Sequence, residues 1–401
     1  MYLYRNRQFA PIIGARRAKR TAITVSVQPS ATTVEHPFQN YWTKDGGLAE
    51  VITVLPKRER ALSLVENFFA SVDPLYPMLS REDLIAEMEH LWAMSLEDKY
   101  CYDAAKLALH FVVYAAGAYF APDIEPDERG CMADIYLSAS HQSLCLCSYL
   151  GKFSLGTAQV ILLIGHLLIN TNRISEAWTF SGILVRQAYA LRLHRSLDSD
   201  PGGLFDQHRQ LQRRIWQAVV VQDVSIAYHL HLPPSAVRCI ERLNLVDPMI
   251  ETDFEPDVAY EQSMWQWATF VQEHICIPQA IGTPITTSAS HKTTLIACFR
   301  DMYSNWKYPF NSQNPKRFET VDLRLARQLV TITSSFFGVL TVLYLDENPD
   351  AGVFADVYGS IDATHEALSS FFALLRLSPE QMDMWGSYHT RAYAQAVRYG
   401  D

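Results

Sequence analysis

Apolar residues recur along this chain at intervals of three and four, the spacing that gathers side chains on one face of a helix. The pattern is clearest between Glu176 and Pro234. Phe180, Leu184, Ala188 and Leu191 make one stripe; Leu211, Ile215 and Val219, continued by Ile226 and Leu230, make a second. Between them, Asp198-Ser-Asp-Pro-Gly-Gly203 cannot carry a helix, because proline lacks the amide donor and glycine is costly. The two stripes predict a helical hairpin with a polar elbow.

The same period predicts the other elements. Leu64, Val65, Phe68, Phe69 and Val72 form a stripe, and Leu84, Ile85, Met88, Leu91 and Trp92 form the next. Asp73-Pro74 and Tyr76-Pro77 break the chain between them, and Ser80 with Asp83 supplies an S-x-x-D cap. Lys106 to Phe120 is a nearly all-apolar helix, Pro122 to Arg129 an acidic turn, and Met132 to Tyr149 a further helix. Leu155 to Ile169 is a buried helix whose His166 reads either as a satisfied core histidine or as a ligand. Beyond Pro234 the period loosens. Helices are expected over Val258 to Ile277, Leu295 to Trp306, Leu323 to Leu345, Ile361 to Leu377 and Gln381 to Val397, with loops at Ile281 to Lys292 and Tyr308 to Thr320. There is no internal repeat and no strand run. The fold class is all-α, a large multi-helix bundle of packed helical hairpins.

Composition supports a large core. Of 401 residues, 49% are hydrophobic and 12% aromatic, while charged residues are only 19%, below the roughly 25% of typical soluble domains. The longest uncharged apolar stretches, Leu107 to Ala121 and Leu155 to Ile169, fall short of the ~20 residues a membrane helix needs, so no membrane partner is expected. Seven scattered cysteines, an odd number, point to a reducing compartment. None has C-x-x-C spacing. His141 and Cys145 would share a helix face, but two potential ligands do not make a metal site. No metal and no cofactor are expected. The Gly-rich dinucleotide fingerprint, the Walker loop, the G-x-S-x-G elbow and H-E-x-x-H are all missing.

Charge divides the chain. Met1 to Val34 carries six basic residues and no acid, and the remainder holds 28 basic against 43 acidic residues. The basic arm, with its RRAKR run, reads as a phosphate contact, a nuclear import signal, a mitochondrial presequence or a disordered tail. The acidic body repels a polyanion, so autonomous DNA binding by the body is not expected.

One residue breaks the second hairpin stripe. Asp223 falls four residues after Val219, on the row that faces the core. A buried carboxylate needs a cation or several donors, which Arg186, Arg192, His194, Arg213 or Arg214 could supply. Asp223 therefore reads either as an ion pair pinning helix to helix or as a ligand-binding acid. With Trp178, Arg186, His194 and Trp216 it forms the candidate set lining a pocket for a small hydrophobic effector. No catalytic or DNA-contacting residue is assigned. His229 and His231 read as turn residues or as cleft lining.

The order Trp178, Gly182, Arg186, Ala190, Leu193-His194-Arg195, then Arg213-Arg214-Ile215-Trp216 and Asp223, resembles the middle homology region of fungal zinc-cluster transcription factors. The stretch from Leu55-Pro56 through Val72-Asp73-Pro74 and Tyr76-Pro77 to Trp92 is similar to the family's earlier segment, and together the matches run from Leu55 to Pro234, more faintly to Pro309. Departures are Gln217 for a second tryptophan, Val224 for an arginine, His231-Leu232-Pro233 for Gly-Arg-Pro, and Arg192 for a glycine. The resemblance would place a six-cysteine zinc module ahead of this region, yet the first cysteine is Cys101. It implies a fungal transcription regulator of a metabolic or secondary-metabolite gene set, working in the nucleus through other transcription proteins, a homodimer partner or a small effector. The alternative is a cytoplasmic biosynthetic enzyme on the same scaffold, isomerising or cyclising a hydrophobic intermediate. The expected organisation is a basic, disordered arm and linker (1–54), a regulatory domain (55–310) and C-terminal helices on the same body (311–401).

Overall fold

Half of the long helices begin where the sequence supplies a side-chain acceptor for otherwise orphaned first-turn amides. Ser80 accepts from the Asp83 amide, Asp103 from those of Ala105 and Lys106, and Asp322 from that of Leu325. Ser154 and Thr157 close a reciprocal capping box. The computed structural model describes residue 38 and residues 46–195, 207–236, 255–318, 321–379 and 384–400.

The elements are α1 (Gly47–Val51), α2 (Arg58–Ser71), α3 (Arg81–Ala93), α4 (Leu96–Lys99), α5 (Ala104–Tyr119), α6 (Pro126–Leu146), α7 (Leu155–Asn170), α8 (Ile174–Ala190), α9 (Gln207–Leu230) and α10 (Pro256–Val271). Then come a π-helical turn (Gln272–Cys276), α11 (Ile277–Ala280), α12 (Ala289–Ser304), α13 (Leu323–Leu345), α14 (Val357–Leu377) and α15 (Gly386–Gly400). Among the described residues there is no strand, only one isolated bridge between Asn348 and Val353. The all-α expectation holds.

Antiparallel neighbours organise the body. α5 packs on α6, α13 on α14, and α7 lies against α5, α8 and α9. α5 and α7 are buried nearly all round, as their apolar sequences require. At Gly117 a Cβ would stand 1.9 Å from the Leu64 carbonyl oxygen, so α2 and α5 touch backbone to backbone and only glycine fits. α13, with the bounds expected from the sequence, is long and apolar enough to cross a membrane, yet 83% of its apolar window is buried inside the body. α14 turns mainly small residues inward (Ser360, Ala363, Thr364, Ala367 and Ser370), with Leu374 near its end.

Several boundaries differ from expectation. Helix α6 starts at Pro126, inside the expected acidic turn, because proline at the first helical position needs no amide partner. α14 starts four residues early, since its first apolar residues face solvent and leave no inward period. Helix α1 lies within the expected arm and linker, 1–54, and its Val51 is fully buried. The elbow, residues 198–203, and the basic arm lie outside the described residues.

His166 is a core histidine. It is 5% exposed, meets the Asn170 amide at 3.1 Å, and packs edge-on against Tyr76 at 5.0 Å. Burial drives its pKa down to about 3.

Candidate functional site

The hairpin is α8 packed on α9. Along α9, Ile215, Trp216, Val219, Val220, Asp223, Ile226 and Ala227 are buried, a run with the helical period the sequence announced. Asp223 is completely buried, and among the described residues no cation is paired with it. The Ser181 hydroxyl donates to its Oδ1 (2.8 Å) and the Ala236 amide to its Oδ2 (2.9 Å). The expected helix-to-helix ion pair is thus replaced by neutral donors, Ser181 from α8 and Ser235 and Ala236 from the turn after α9. Burial raises the Asp223 carboxyl above its usual range, opposed by those donors. The Ala236 carbonyl in turn accepts from the Gln272 side chain, which carries the connection into the π-helical turn.

Asp223→Ala strips acceptors from a buried hydroxyl and a buried amide, each worth about 1–3 kcal/mol when left unsatisfied. A loss of about 2–4 kcal/mol in urea unfolding is expected, with D223N, which keeps one acceptor, losing less. Equal losses in the two variants would contradict this hydrogen-bond account.

The other predicted residues do not join Asp223. Trp216, 3% exposed, packs with Tyr189 (5.6 Å) and His194 (6.2 Å) toward the elbow end. His194 is half-buried, its Nδ1 has no partner, and burial lowers its pKa. Arg186 lies exposed and donates back to the Gly182 carbonyl (3.3 Å). Trp178 is half-buried near the start of α8, its indole N–H without a partner. The structure brings His194 and Trp216 together and leaves Trp178, Arg186 and Asp223 at separate points along the hairpin.

The opposite side of α9 borders a cleft. Arg214, Gln217, Ala218 and Val221 face the turn Leu75–Met78 and, on α10, Tyr260, Glu261 and Met264. The space is about 30 Å³, room for about two water molecules. Arg214 donates to the Pro77 carbonyl (3.3 Å) and lies 3.5 Å from a Glu261 oxygen. Burial pushes the Glu261 carboxyl up to about 7 against the pull of that guanidinium. Behind it, Gln222 donates to the Tyr76 hydroxyl (3.4 Å) and to the Leu162 carbonyl (3.1 Å). Glu261 gave no signal in the sequence beyond a polar place on a helix, whereas Arg214 and Gln217 were visible, as a basic pair and as a departure from the family pattern.

Among the described residues no group of three or more histidines, cysteines or acids could hold a metal ion. His141 and Cys145 approach to 3.9 Å, and the imidazole stacks on Phe38 at 4.0 Å, so the pair belongs to an aromatic contact.

Comparison with known proteins places this geometry. The profile of the fungal specific transcription factor domain matches residues 65–264. Transcription factor macR of Penicillium terrestre is 26% identical over 202 residues, covering 47% of this chain and 23% of that protein. Sorbicillinoid biosynthetic cluster transcription factor 2 of Penicillium rubens is 26% identical over 180 residues, 44% of this chain and 26% of that protein. The equisetin cluster transcription factor eqxF of Fusarium heterosporum is 26% identical over 201 residues, 46% and 28% respectively. The match thus spans about a quarter of the length of these relatives. No solved structure matches the chain at a significant level. The matched span runs from α2 to α10 and takes in the whole α8–α9 hairpin and both sides of the cleft: residues 65–264 belong to the fungal specific transcription factor domain family.

Proposed function

We propose that this protein regulates transcription in the nucleus, controlling a secondary-metabolite gene set together with other transcription proteins. The observation that carries the reading is the ordered family match over residues 65–264. Relatives named as biosynthetic-cluster regulators support the kind of gene set. In this reading residues 55–310 are the regulatory body and 311–401 complete it. Helix α9 is its sensing element, with Trp216 and Asp223 on one side and Arg214 and Gln217 on the other. A small hydrophobic effector settling against Trp178, Arg186, His194 or Trp216 would shift α9, and the cleft would change with it.

One observation favours the enzyme alternative. Glu261 is an acid whose pKa stands near neutrality beside a cleft, and such groups cluster at sites of proton transfer. Paired transcript and metabolite profiling of a strain lacking the gene separates the two. The regulator reading expects a coherent block of transcripts to fall with their products. Level transcripts with one accumulating intermediate would overturn it in favour of an isomerase or cyclase.

A further inference from the structure

Where α13 hands over to α14, bulk turns outward. Phe354 is 71% exposed, Val357 56% and Tyr358 85%, and Ile361, one turn further on, is 36% exposed. Large apolar side chains gathered so closely on a surface mark an interaction site. The backbone beneath them is held in place. The Lys292 ammonium donates to the carbonyls of Tyr344 (2.7 Å), Asp346 (2.9 Å) and Phe354 (2.7 Å), and the Asp346 carboxylate accepts from the Ile285 and Thr286 amides (3.2 and 2.9 Å). Paired hydrogen bonds between Asn348 and Val353 close the loop between them. The exposed side chains therefore stand on a fixed surface.

Charge says what covers it. No lysine or arginine lies between Arg327 and Arg376, while the exposed acids Glu347, Asp350, Asp356 and Asp362 flank the apolar residues along the chain. Among the described residues none of the four has an ion-pair partner. Asp346, Glu347 and Asp356 all act on the Lys292 ammonium, which places loop and helix acids around one point, but that ammonium is buried and engaged with carbonyls. The other cation from α12 is Arg300, whose guanidinium lies 5.7 Å over the Tyr344 ring. Arg300 thus makes, within the chain, the contact that the open rings of Tyr358 and Phe354 offer to an outside arginine. A guanidinium stacks on aromatic faces, is weakly hydrated, and forks onto carboxylates. Nucleic acid or an anionic lipid layer would be repelled by the acids, and a purely apolar partner would make no use of them.

We propose that loop 346–356 and the first turns of α14 form a docking surface for an arginine-rich peptide segment of a partner, its guanidinium groups laid over Tyr358 and Phe354 and paired with Asp350, Asp356 and Asp362. The inference stands on this surface alone. It holds whether the body regulates transcription or catalyses a reaction, and a transcript profile that overturned the regulator reading would leave it intact. Exposed contacts of this kind bind weakly and are screened by salt, so a dissociation constant on the order of 10 μM is expected at low salt.

Fluorescence anisotropy of a fluorescein-labelled octa-arginine peptide, titrated with the full chain at about 50 mM and about 300 mM salt, reads the contact. Saturable binding that weakens as salt rises is expected. D350K/D362K reverses two acids of the surface and should weaken binding about tenfold or more. E97K/E128K makes the same change of net charge on exposed residues elsewhere and should leave binding within about twofold. Y358A, at a residue 85% exposed, should keep the melting temperature and weaken binding about threefold. An octalysine peptide should bind less tightly than octa-arginine. No binding at low salt would overturn the proposal. Equal weakening by the two charge variants would also overturn it, because the peptide would then be reading only the net charge of the chain. Binding indifferent to Y358A and equal for the two peptides would take the rings out of the site and overturn the choice of arginine.

Discussion

A chain ending at residue 320 is expected not to fold, although it keeps the whole family-matched span. Helix α13 supplies the reason. Leu329, Ile332, Phe336, Val339, Leu340 and Leu343 are each 1% exposed or less. Burying one such side chain stabilises by about 1.5–3 kcal/mol, so these six alone contribute about 9–18 kcal/mol, as much as a typical net stability of about 5–15 kcal/mol. Phe336 also stacks at 4.4 Å on both Phe299 and Tyr303. Further along, Trp385 packs on Phe120 at 4.4 Å and near His166 at 6.4 Å, tying α15 to α5 and α7. The measurement is far-UV circular dichroism through a thermal scan, with limited proteolysis. A truncated chain that melts cooperatively would show that the family span closes its own core.

The second large effect is expected from Arg324→Ala. Arg324 reaches across the bundle, donating to Asp73 (2.8 Å) and, through two nitrogens, to Asp257 (2.7 and 3.0 Å). Gln328 completes the cluster by donating to Asp257 (2.6 Å) and to the Pro74 carbonyl (2.9 Å). Asp73 is 5% exposed, and burial pushes its carboxyl up to about 6 in spite of the guanidinium. Removing Arg324 leaves that carboxylate buried without its cation, a change that costs about 3–5 kcal/mol for a fully buried pair. Because the Arg324 side chain is 34% exposed, a loss of about 2–4 kcal/mol is expected at about pH 8. The sign of its pH dependence follows from Asp73. Its folded pKa is already raised above the ordinary 3.8, and it rises further without the cation. Below about pH 6 the variant's Asp73 takes up a proton and sheds the buried charge, so the deficit shrinks as pH falls. Urea unfolding at about pH 5.5 and about pH 8 checks this. A deficit independent of pH, or larger in acid, would mean that Asp73 is not the group left exposed to the loss.

Local signals were legible in the sequence and distant ones were not. The bounds of α13, Leu323–Leu345, stand in the sequence as an apolar run behind the cap Asp322, and the cap of α3 stands there as Ser80. The α8–α9 hairpin was legible from period and family pattern together. The Asp73–Arg324–Asp257 cluster was not, because its members lie up to 251 residues apart and each looks locally like an ordinary surface charge. Asp223 was legible as a buried acid, but its partners were sought among cations; the Ala236 amide that holds it carries no side-chain signature. The cleft escaped for a similar reason. Glu261 owes its raised pKa to burial by neighbours on three separate segments, which no window along the chain contains.

The inversion of α14, small residues inward and bulky ones outward, also has a calorimetric consequence. The heat-capacity change of unfolding tracks the apolar area that becomes wet. α13 buries large apolar side chains along most of its length and so contributes heavily to that change. α14, docked along its first turns by Ser360, Ala363, Thr364, Ala367 and Ser370 and only near its end by Leu374, holds its place largely by close approach and contributes less. The two helices of one hairpin therefore respond differently to cooling: the grip of α13 weakens with the hydrophobic effect, while that of α14, resting on contact enthalpy, is retained.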